Sequence, residues 1–202
     1  MQPTSTDILV ATTPQDVLDF WFGTPDSPEY GQPRTAWFVK DIVFDEAIRR
    51  QFGRLHEEVA AGQHDDWANT PTGMLALLIV LDQFSRNLYR NDPRAFACDT
   101  TALAWATQLL ARGWVTQYLP VQLVFCYLPF EHAEDLVVQQ QSVKLFAKLR
   151  TDNAHFETFY DYAVRHHDVI ARFGRFPHRN PVLGRASTSD ELVFLSQPGS
   201  SF

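Results

Sequence analysis

Apolar residues recur along this chain at steps of three and four, the spacing that places side chains on one face of an α-helix. The clearest run has Ile48, Phe52, Leu55 and Val59 on one face and stops at Gly62. The segment AHFETFYDYAVRHHDVIARFG, in the C-terminal half, shows the same period. No segment shows a convincing strand pattern, and no hairpin turn signal is present. The pattern therefore predicts an all-α protein.

Residues that start and stop helices divide the chain further. Thr13 and Pro14 form a pair that is typical of an N-cap and the first helical position. Pro120 is expected to begin a short apolar helix, and Pro129 is expected to break it. Asn153 can cap the long helix of the C-terminal half. Together these signals predict seven or eight helices.

One predicted helix is apolar on every side. It covers residues 74–81, which indicates a central buried helix, and the sequence becomes abruptly polar at Asp82. Asp99 is then expected to cap a helix that Gly113 closes. A last capped turn is expected to begin at Thr188 or at the residue before it.

Short loops between consecutive helices predict antiparallel helical hairpins that stack in an array. No repeat occurs at the roughly 34-residue period of tetratricopeptide units, so the sequence does not support a strict repeat protein. The length of 202 residues suits a single helical domain over 1–202. We expect its N-terminus, 1–12, to be flexible and 196–202 to form a polar C-terminal tail.

Charge and composition exclude several classes of protein. The net charge of −7 argues against a nucleic-acid-binding protein, whose binding face would be basic. No apolar run reaches the roughly 18 residues that would indicate a membrane span, and no secretory signal is visible. Cys98 and Cys126 lack a metal-binding spacing, so we expect two buried, reduced thiols in a cytoplasmic protein. The sequence does not indicate an oligomeric state.

The basic residues are mostly arginine, with fourteen Arg against three Lys. Arginine suits bidentate, partly buried pairing with carboxylate or phosphate, whereas lysine suits solvated surface. Much of this arginine falls in three polar clusters that interrupt otherwise apolar helices. Each cluster has both a structural and a functional interpretation.

The first polar cluster is DQFSRNLYR. Asp82 and Arg86 are four residues apart and share a helix face, and Arg90 lies one turn further. Asp82 follows eight apolar residues, so it is expected to be partly buried and to need a partner. Arg86 can be that partner in a structural pair. Alternatively, Arg86 and Arg90 project into a pocket beside Asn87.

The second polar cluster is PFEHAEDL. We expect Glu131, Glu134 and Asp135 in the first turn of a helix, where the helix macrodipole favours negative charge. This structural role does not account for His132. His132 and Asp135 have the three-residue offset of some metal ligands, but a metal site would need further ligands from elsewhere in the chain. We therefore expect no metal and no cofactor.

The third polar cluster is RHHDVIARFGRFPHRNPVLGR. Helical spacing places His167 in the middle of the apolar face, with His166 toward its edge and Arg165 and Arg172 pointing away. A histidine on such a face is either a hydrogen-bonded core residue or part of a buried pocket. Beyond the helix the chain can turn back over the helix end, presenting three basic residues: Arg175, His178 and Arg179.

These basic residues have two interpretations. They can complement the helix C-terminus and tie the C-terminal tail to the acids of the second cluster. They can also form one wall of a cleft whose other walls are the first two clusters. A network of buried charges is a poor source of stability, because desolvation can cancel the attraction between the charges. Such a network therefore favours a functional site.

Several segments resemble a family of bacterial and fungal proteins known as domain of unknown function 924. They are DVLDFWFG, AAGQHDDW, LDQFSRNLYR with NDPRAFACD, YLPFEHAEDL with QSVKLF, and RHHDVIARFGRFPHRNPVLGRAST. The resemblance implies a tetratricopeptide-like all-helical fold and no particular reaction. The family typically has proline where this chain has Ser85. The family pattern otherwise includes most of the polar residues described above: Asp82, Gln83, Arg86, Asn87, Glu131, His132, Glu134, His167, Arg172, Gly174, Arg175, Pro177, Arg179, Asn180, Gly184 and Arg185.

The sequence leaves three functions open. The first is binding of a small anionic molecule, or of a peptide carboxylate or phosphate. The second is a hydrolase or lyase in which His132 or His167 works with Glu131 or Glu134 as an acid–base pair, with or without the assistance of a metal. The third is a protein-interaction scaffold without a ligand site. The candidate ligand-binding residues for the first function are Asp82, Arg86, Asn87, Arg90, Arg172, Arg175, His178 and Arg179.

Overall fold

The structure is a computed structural model that describes residues 12–152 and 154–200. This part of the chain is helical and contains no β-strand, which confirms the all-α prediction. Most of the N-terminal segment 1–12, the expected cap Asn153 and the last two tail residues lie outside the described residues. The α-helices are α1 (Pro14–Phe22), α2 (Ile42–Ala60), α3 (Pro71–Leu78), α4 (Ser85–Leu88), α5 (Asp99–Ala111), α6 (Pro120–Glu131), α7 (Leu136–Asp152), α8 (Glu157–Phe173) and α9 (Ser189–Leu195).

Capping residues determine where the first and last helices begin. Thr13 caps α1 and forms a capping box with Asp16, while Pro14 occupies the first helical position. At the other end of the chain, Thr188 caps α9 and forms a capping box with Glu191. Both starting points agree with the sequence prediction.

The hydrophobic core is built around α3. No residue from 74 to 81 is more than 1 % exposed, which confirms the predicted central buried helix. Helices α1, α5 and α6 pack against α3, and α6, α7 and α8 pack in succession. The fully buried Trp21 contacts the rings of Trp37, Phe84 and Phe125. The tetratricopeptide-like stacking of these helices stays a prediction.

The predicted break at Pro129 is wrong. Helix α6 continues through this proline to Glu131, and α7 begins only at Leu136. Every residue from 124 to 131 is buried, so packing on all sides of the helix outweighs the backbone hydrogen bond that proline cannot donate. Glu131 therefore ends a buried helix and does not lie in the first turn of an exposed one, while Asp135 accepts a hydrogen bond from the Val138 amide at the start of α7.

A π-helical segment, Ile79–Phe84, joins α3 to α4. The helical period of the sequence does not reveal this segment, because π-helix inserts an extra residue in the turn. Asp82 lies within it and is only 1 % exposed. Immediately after the segment, Ser85 donates a hydrogen bond to the Leu81 carbonyl (2.6 Å) and lies 2.7 Å from Nε2 of His56. Short π-helical segments often occur at functional sites.

The chain between α8 and α9, residues 175–187, is here called the C-terminal strap. Gly174 ends α8 with a φ of +69°, a conformation that favours glycine. Glu134 accepts two hydrogen bonds from Arg185 (2.6 and 2.9 Å) and one from the Phe176 amide (2.7 Å). Arg175 forms a bidentate pair with Glu191 of α9 (2.7 and 2.8 Å). These pairs tie the strap to the rest of the fold, as one interpretation of the basic residues predicted.

We expect Arg185→Ala to loosen the strap and to lower the free energy of unfolding by about 1 kcal/mol, because it removes a bidentate, charge-assisted pair. Urea denaturation measures this change. Arg54→Ala is the matched control, because Arg54 makes an exposed pair with Glu58 on α2 and its loss should cost no more than about 0.5 kcal/mol. Equal stability of the two variants would contradict a strap held by Glu134.

Candidate functional site

The site is organised around the buried carboxylate of Asp82. Its Oδ1 accepts a hydrogen bond from Nδ1 of His132 (2.7 Å), and its Oδ2 accepts one from Gln83 (2.6 Å). Arg86 lies one turn further along and contacts Asp82 twice, with Nη1 at 3.3 Å from Oδ1 and at 2.8 Å from the backbone carbonyl. Asp82 therefore joins a histidine from the end of α6 to an arginine of α4.

Asp82 is ionised despite its burial. Burial opposes ionisation, but the charge of Arg86, the interaction with His132 and the hydrogen bond from Gln83 together hold the pKa of Asp82 below its usual range. Burial also opposes the charge on Arg86, and the two carboxylates Asp82 and Asp99 raise its pKa above the ordinary value. The core of the site is consequently an ion pair.

His132 is held as a neutral imidazole with one nitrogen available. Its Nδ1 must carry the proton, because that nitrogen donates to a carboxylate. Burial and the nearby charge of Arg86 lower the pKa of His132. Within residues 12–152 and 154–200, Nε2 of His132 makes no hydrogen bond, and 13 % of the side chain is exposed. Nε2 is therefore an accessible base with a lone pair.

Glu131 places a second carboxyl group beside this histidine. Its Oε1 lies 3.1 Å from Nδ1 of His166, which also donates to the Tyr162 carbonyl (2.8 Å). Burial, assisted by the negative charge of Asp82, raises the pKa of Glu131 well above its ordinary value. Burial likewise lowers the pKa of His166 to about 3. The ionisation of Glu131 is thus suppressed, and His166 is a neutral ring near pH 7.

Asp99 connects Arg86 to the C-terminal strap. Arg86 donates to both of its carboxylate oxygens (2.9 and 3.2 Å), and Arg179 donates to Oδ2 (3.1 Å). The guanidinium of Arg179 lies 4.5 Å from the ring centroids of both Phe96 and Phe176. The sequence predicts Asp99 only as a helix cap. No short-range spacing links Asp99 to Arg179, which lies far along the chain.

The contacts close into a ring. From Arg179 they pass through Phe176 to His166, whose ring centroid is 5.4 Å from that of Phe176 and 6.3 Å from that of His132. His132 donates a hydrogen bond to Asp82, and Asp82 contacts Arg86. Arg86 shares Asp99 with Arg179, which closes the ring. We call the charged and titratable members of this ring the acid–base cluster: Asp82, Arg86, Asp99, Glu131, His132, His166 and Arg179.

The structure corrects the predicted orientation of the two adjacent histidines. His166 is buried, whereas the side chain of His167 is 27 % exposed and lies 3.1 Å from Asp168. Ala163 and Ile170 face the core, and the buried position between them is that of His166 and not of His167. Among the candidate histidines, His132 is in the cluster and His167 is not.

The other candidate residues lie in separate contacts. Glu134 pairs with Arg185, and Arg175 pairs with Glu191. Asn87 and Arg90 both donate to Asp45 of α2, and Arg172 is exposed near the end of α8. His178 packs against Phe176, and burial together with the charge of Arg179 lowers the pKa of His178 to about 4. Of the residues that the sequence assigns to a cleft, Arg86, Glu131, His132 and Arg179 thus lie in the cluster, and Asp82 contacts Arg86 and His132.

Other features of the described residues bear on ligands. No three His, Cys, Asp or Glu side chains in this part of the chain converge so as to hold a metal ion. A cavity of about 300 Å³ lies against α1 and α3 and is lined by residues outside the cluster, including Asp19, Tyr30 and Tyr118.

Cys98 and Cys126 are both free and buried. In this part of the chain, no helix combines the length and apolar character needed to cross a membrane.

The fold and the site define an all-α protein with a buried acid–base cluster. The family described as "Bacterial protein of unknown function (DUF924)" matches residues 17–199, and the chain belongs to this family. It is also similar to a solved structure, "Structure of Protein of Unknown Function ATU0120 from Agrobacterium tumefaciens", with 35% sequence identity and a TM-score of 0.78. That match covers 90% of this chain and 96% of the other. No curated protein matches the chain.

Proposed function

We propose that this protein is an enzyme that uses general acid–base catalysis on a small molecule. The observation that supports this most is the hydrogen bond of 2.7 Å from His132 Nδ1 to the buried Asp82. This bond fixes the tautomer and orientation of the imidazole, leaves Nε2 as the base and stabilises the imidazolium that forms when Nε2 takes a proton.

Glu131 supplies the complementary acid. A carboxyl group that stays protonated near neutral pH can donate a proton or a hydrogen bond, and pairs of titratable groups whose pKa values are pushed apart are typical of acid–base sites. Here burial and the charge of Asp82 favour the protonated form of Glu131, while its neighbour along the chain, His132, stays neutral. In the proposed reaction, His132 accepts a proton from the substrate or from a water molecule, and Glu131 donates one to the leaving or newly basic atom.

A purely structural interpretation accounts less well for Glu131. The contacts of Arg175, Arg185 and Arg90 are bidentate pairs between opposite charges, which suits a role in holding segments together. Glu131 instead is a buried carboxyl group whose ionisation is suppressed and whose neighbour His166 is neutral. Such a group adds little attraction and costs desolvation, which favours a functional role.

A comparison of metabolite turnover tests this proposal. The purified protein is incubated with a small-molecule extract, and the products are compared by mass spectrometry for the wild type, His132→Gln and Arg54→Ala. We expect at least one compound to be converted by the wild type and by Arg54→Ala, with the rate reduced at least about 100-fold in His132→Gln. If the extract changes equally with the wild type and with folded His132→Gln, the acid–base proposal is wrong.

A second candidate function is binding of an anionic molecule without turnover. It is favoured by Arg179, whose contact with protein carboxylate is a single hydrogen bond to Asp99. The two functions share one site, and His132-dependent turnover separates them. We also propose a reducing, cytoplasmic location, which is supported by the two free, buried cysteines.

A further inference from the structure

Arg179 differs from the other paired arginines of the C-terminal strap in its burial. Its residue is 6 % exposed, whereas the side chains of Arg175 and Arg185 are 29% and 24% exposed. Two aromatic rings, Phe96 and Phe176, pack against its guanidinium. The strap therefore holds one arginine in a fixed position inside the acid–base cluster.

The hydrogen-bonding capacity of Arg179 is largely unused. Nη1 donates to Oδ2 of Asp99, but the same carboxylate already accepts two hydrogen bonds from Arg86. Nε of Arg179 is buried and makes no hydrogen bond. Among the contacts of the described residues Nη2 has no hydrogen-bond partner either, and it is not one of the fully covered atoms. Arginine has five donors, so most of this fork makes no hydrogen bond to the described residues.

The charge of Arg179 is also incompletely compensated. Two guanidinium groups share Asp99, and the nearby Glu134 is already paired with Arg185. Burial and the charge of Arg86 lower the pKa of Arg179 to about 10, which means that its surroundings disfavour the cation. The neighbouring rings His166 and His178 are neutral near pH 7, because burial lowers the pKa of each. An additional anion at this position would stabilise the site.

We propose that Arg179 binds a carboxylate group of the substrate through its Nε and Nη2 donors. This edge of the guanidinium presents two parallel N–H groups, which match the two oxygens of a carboxylate. Nη2 is the first donor that the carboxylate meets. Bidentate contact with Nε then requires the ring of Phe96 or Phe176 to shift, since Nε is covered.

The position of Arg179 links this anchor to the acid–base groups. Arg179 contacts Phe176, Phe176 contacts His166, and His166 lies beside both Glu131 and His132. Two ring contacts thus separate Arg179 from His132 and Glu131, so the proposal requires a carboxylate-bearing molecule long enough to extend past Phe176 and reach them. This inference deepens the proposed function and rests on it for the term substrate, whereas anion binding itself can be measured separately.

The test uses the intact wild-type protein with ¹⁵N-labelled arginine. The Nε–H signal of Arg179 is assigned by its absence from Arg179→Lys, and that of Arg54 by its absence from Arg54→Lys. Acetate, succinate, succinamide and inorganic phosphate are each titrated to about 50 mM, a range that detects binding at millimolar Kd. We expect a carboxylate to shift the Arg179 signal in a saturable way, while succinamide leaves it unchanged and the Arg54 signal does not saturate.

The variants then measure affinity. Arg179→Lys keeps a positive charge but lacks the planar fork, so we expect a weakening of Kd for the binding carboxylate of about tenfold or more, as expected for the loss of a charge-assisted hydrogen bond. Arg54→Lys should bind like the wild type. The proposal is overturned if no carboxylate shifts the Arg179 signal, if phosphate alone shifts it, or if Arg179→Lys binds as tightly as the wild type.

The two proposals fail in distinguishable ways. The Arg179 signal reports the carboxylate anchor and does not depend on any reaction. Turnover lost in His132→Gln reports the acid–base function. A His132→Gln variant that still shows the carboxylate-dependent shift without turnover supports both. A variant that loses the shift contradicts a carboxylate anchor that acts independently of His132.

Discussion

Asp82→Asn is expected to lower the free energy of unfolding by about 3 kcal/mol, since removing one partner of a buried ion pair leaves the other charge uncompensated. Arg86 would keep Asp99 as an ionic partner, and the Nδ1 proton of His132 would lose its charged acceptor, because asparagine offers a neutral carbonyl oxygen in its place. For a chain of this length the loss corresponds to a decrease in Tm of roughly 6–12 °C. Urea denaturation and differential scanning calorimetry measure both quantities.

The loss of stability in Asp82→Asn should depend on pH in a definite direction. The folded-state pKa of Asp82 is lowered, so the stability from its ionised form is present above the unfolded-state pKa of about 3.9 and is lost as the pH falls through the folded-state pKa. The difference between the wild type and Asp82→Asn should therefore shrink in acid. Asp92→Asn is the control, because Asp92 pairs with Arg94 on the exposed surface. Equal losses in the two variants would contradict a central role for Asp82.

Glu131→Gln is expected to stabilise the protein near pH 8, by about 1.4 kcal/mol for each pH unit by which the folded-state pKa of Glu131 lies above its unfolded-state pKa. The folded-state pKa of Glu131 is raised by burial and by Asp82, so Glu131 favours folding most below its unfolded-state pKa of about 4.3. As the pH rises above that value, the unfolded chain releases the proton and the folded chain retains it. Glutamine mimics the protonated form and removes this dependence. The gain should therefore be close to zero near pH 3 and grow toward pH 8.

Glu134→Gln provides a control with the opposite sign. Burial of Glu134 opposes ionisation, but its hydrogen bonds with Arg185 and the Phe176 amide lower its pKa, so its ionised form stabilises the fold. Near pH 8 this variant should be less stable than the wild type by about 1 kcal/mol, and the difference should vanish in acid. If Glu131→Gln is instead destabilising near pH 8, Glu131 is an ionised structural partner and cannot be the proposed acid.

Substitution of Glu131 should lower turnover while it raises the stability of the protein. A residue that is kept in an unfavourable state for function typically gives a more stable protein when it is replaced. Glu131→Gln should therefore combine higher stability with loss of the conversion that depends on His132. A residue that only holds helices together would lose stability and leave any turnover intact.

Local signals in the sequence predicted the helices well. Thr13, Pro14 and Thr188 determine where helices begin, because a cap depends on residues within one turn. The unbroken apolar run over 74–81 predicted the central helix for a similar reason, since a helix without a polar face must be buried on all sides.

The errors have a common cause in tertiary packing. Pro129 continues α6 because every residue around it is buried, and this placed Glu131 at the end of the helix rather than in the first turn of the next one. The sequence pattern places residue 167 instead of residue 166 on the buried face of α8. Adjacent residues at the edge of a helix face are not separated by the apolar pattern alone, because packing against α6 and α7 determines the rotation of the helix about its axis.

The candidate site was predicted only in part. The sequence identified Asp82, Arg86 and His132, because polar residues that interrupt apolar helices need partners. It did not identify the pairing of Arg86 and Arg179 with Asp99, since these contacts join segments far apart in the chain. The π-helical turn that contains Asp82 has no signature in the helical period either.

The protonation of His132 is the most direct test of the acid–base cluster. Long-range ¹H–¹⁵N NMR of the wild type, with the ring assigned through His132→Gln, reports which nitrogen has the proton. Near neutral pH, at about 7, we expect a neutral ring protonated at Nδ1, with Nε2 bare. In Asp82→Ala, which removes the acceptor altogether, this tautomer preference should be lost. A wild-type ring with its proton on Nε2, or an imidazolium at that pH, would contradict a base that Asp82 orients toward a substrate.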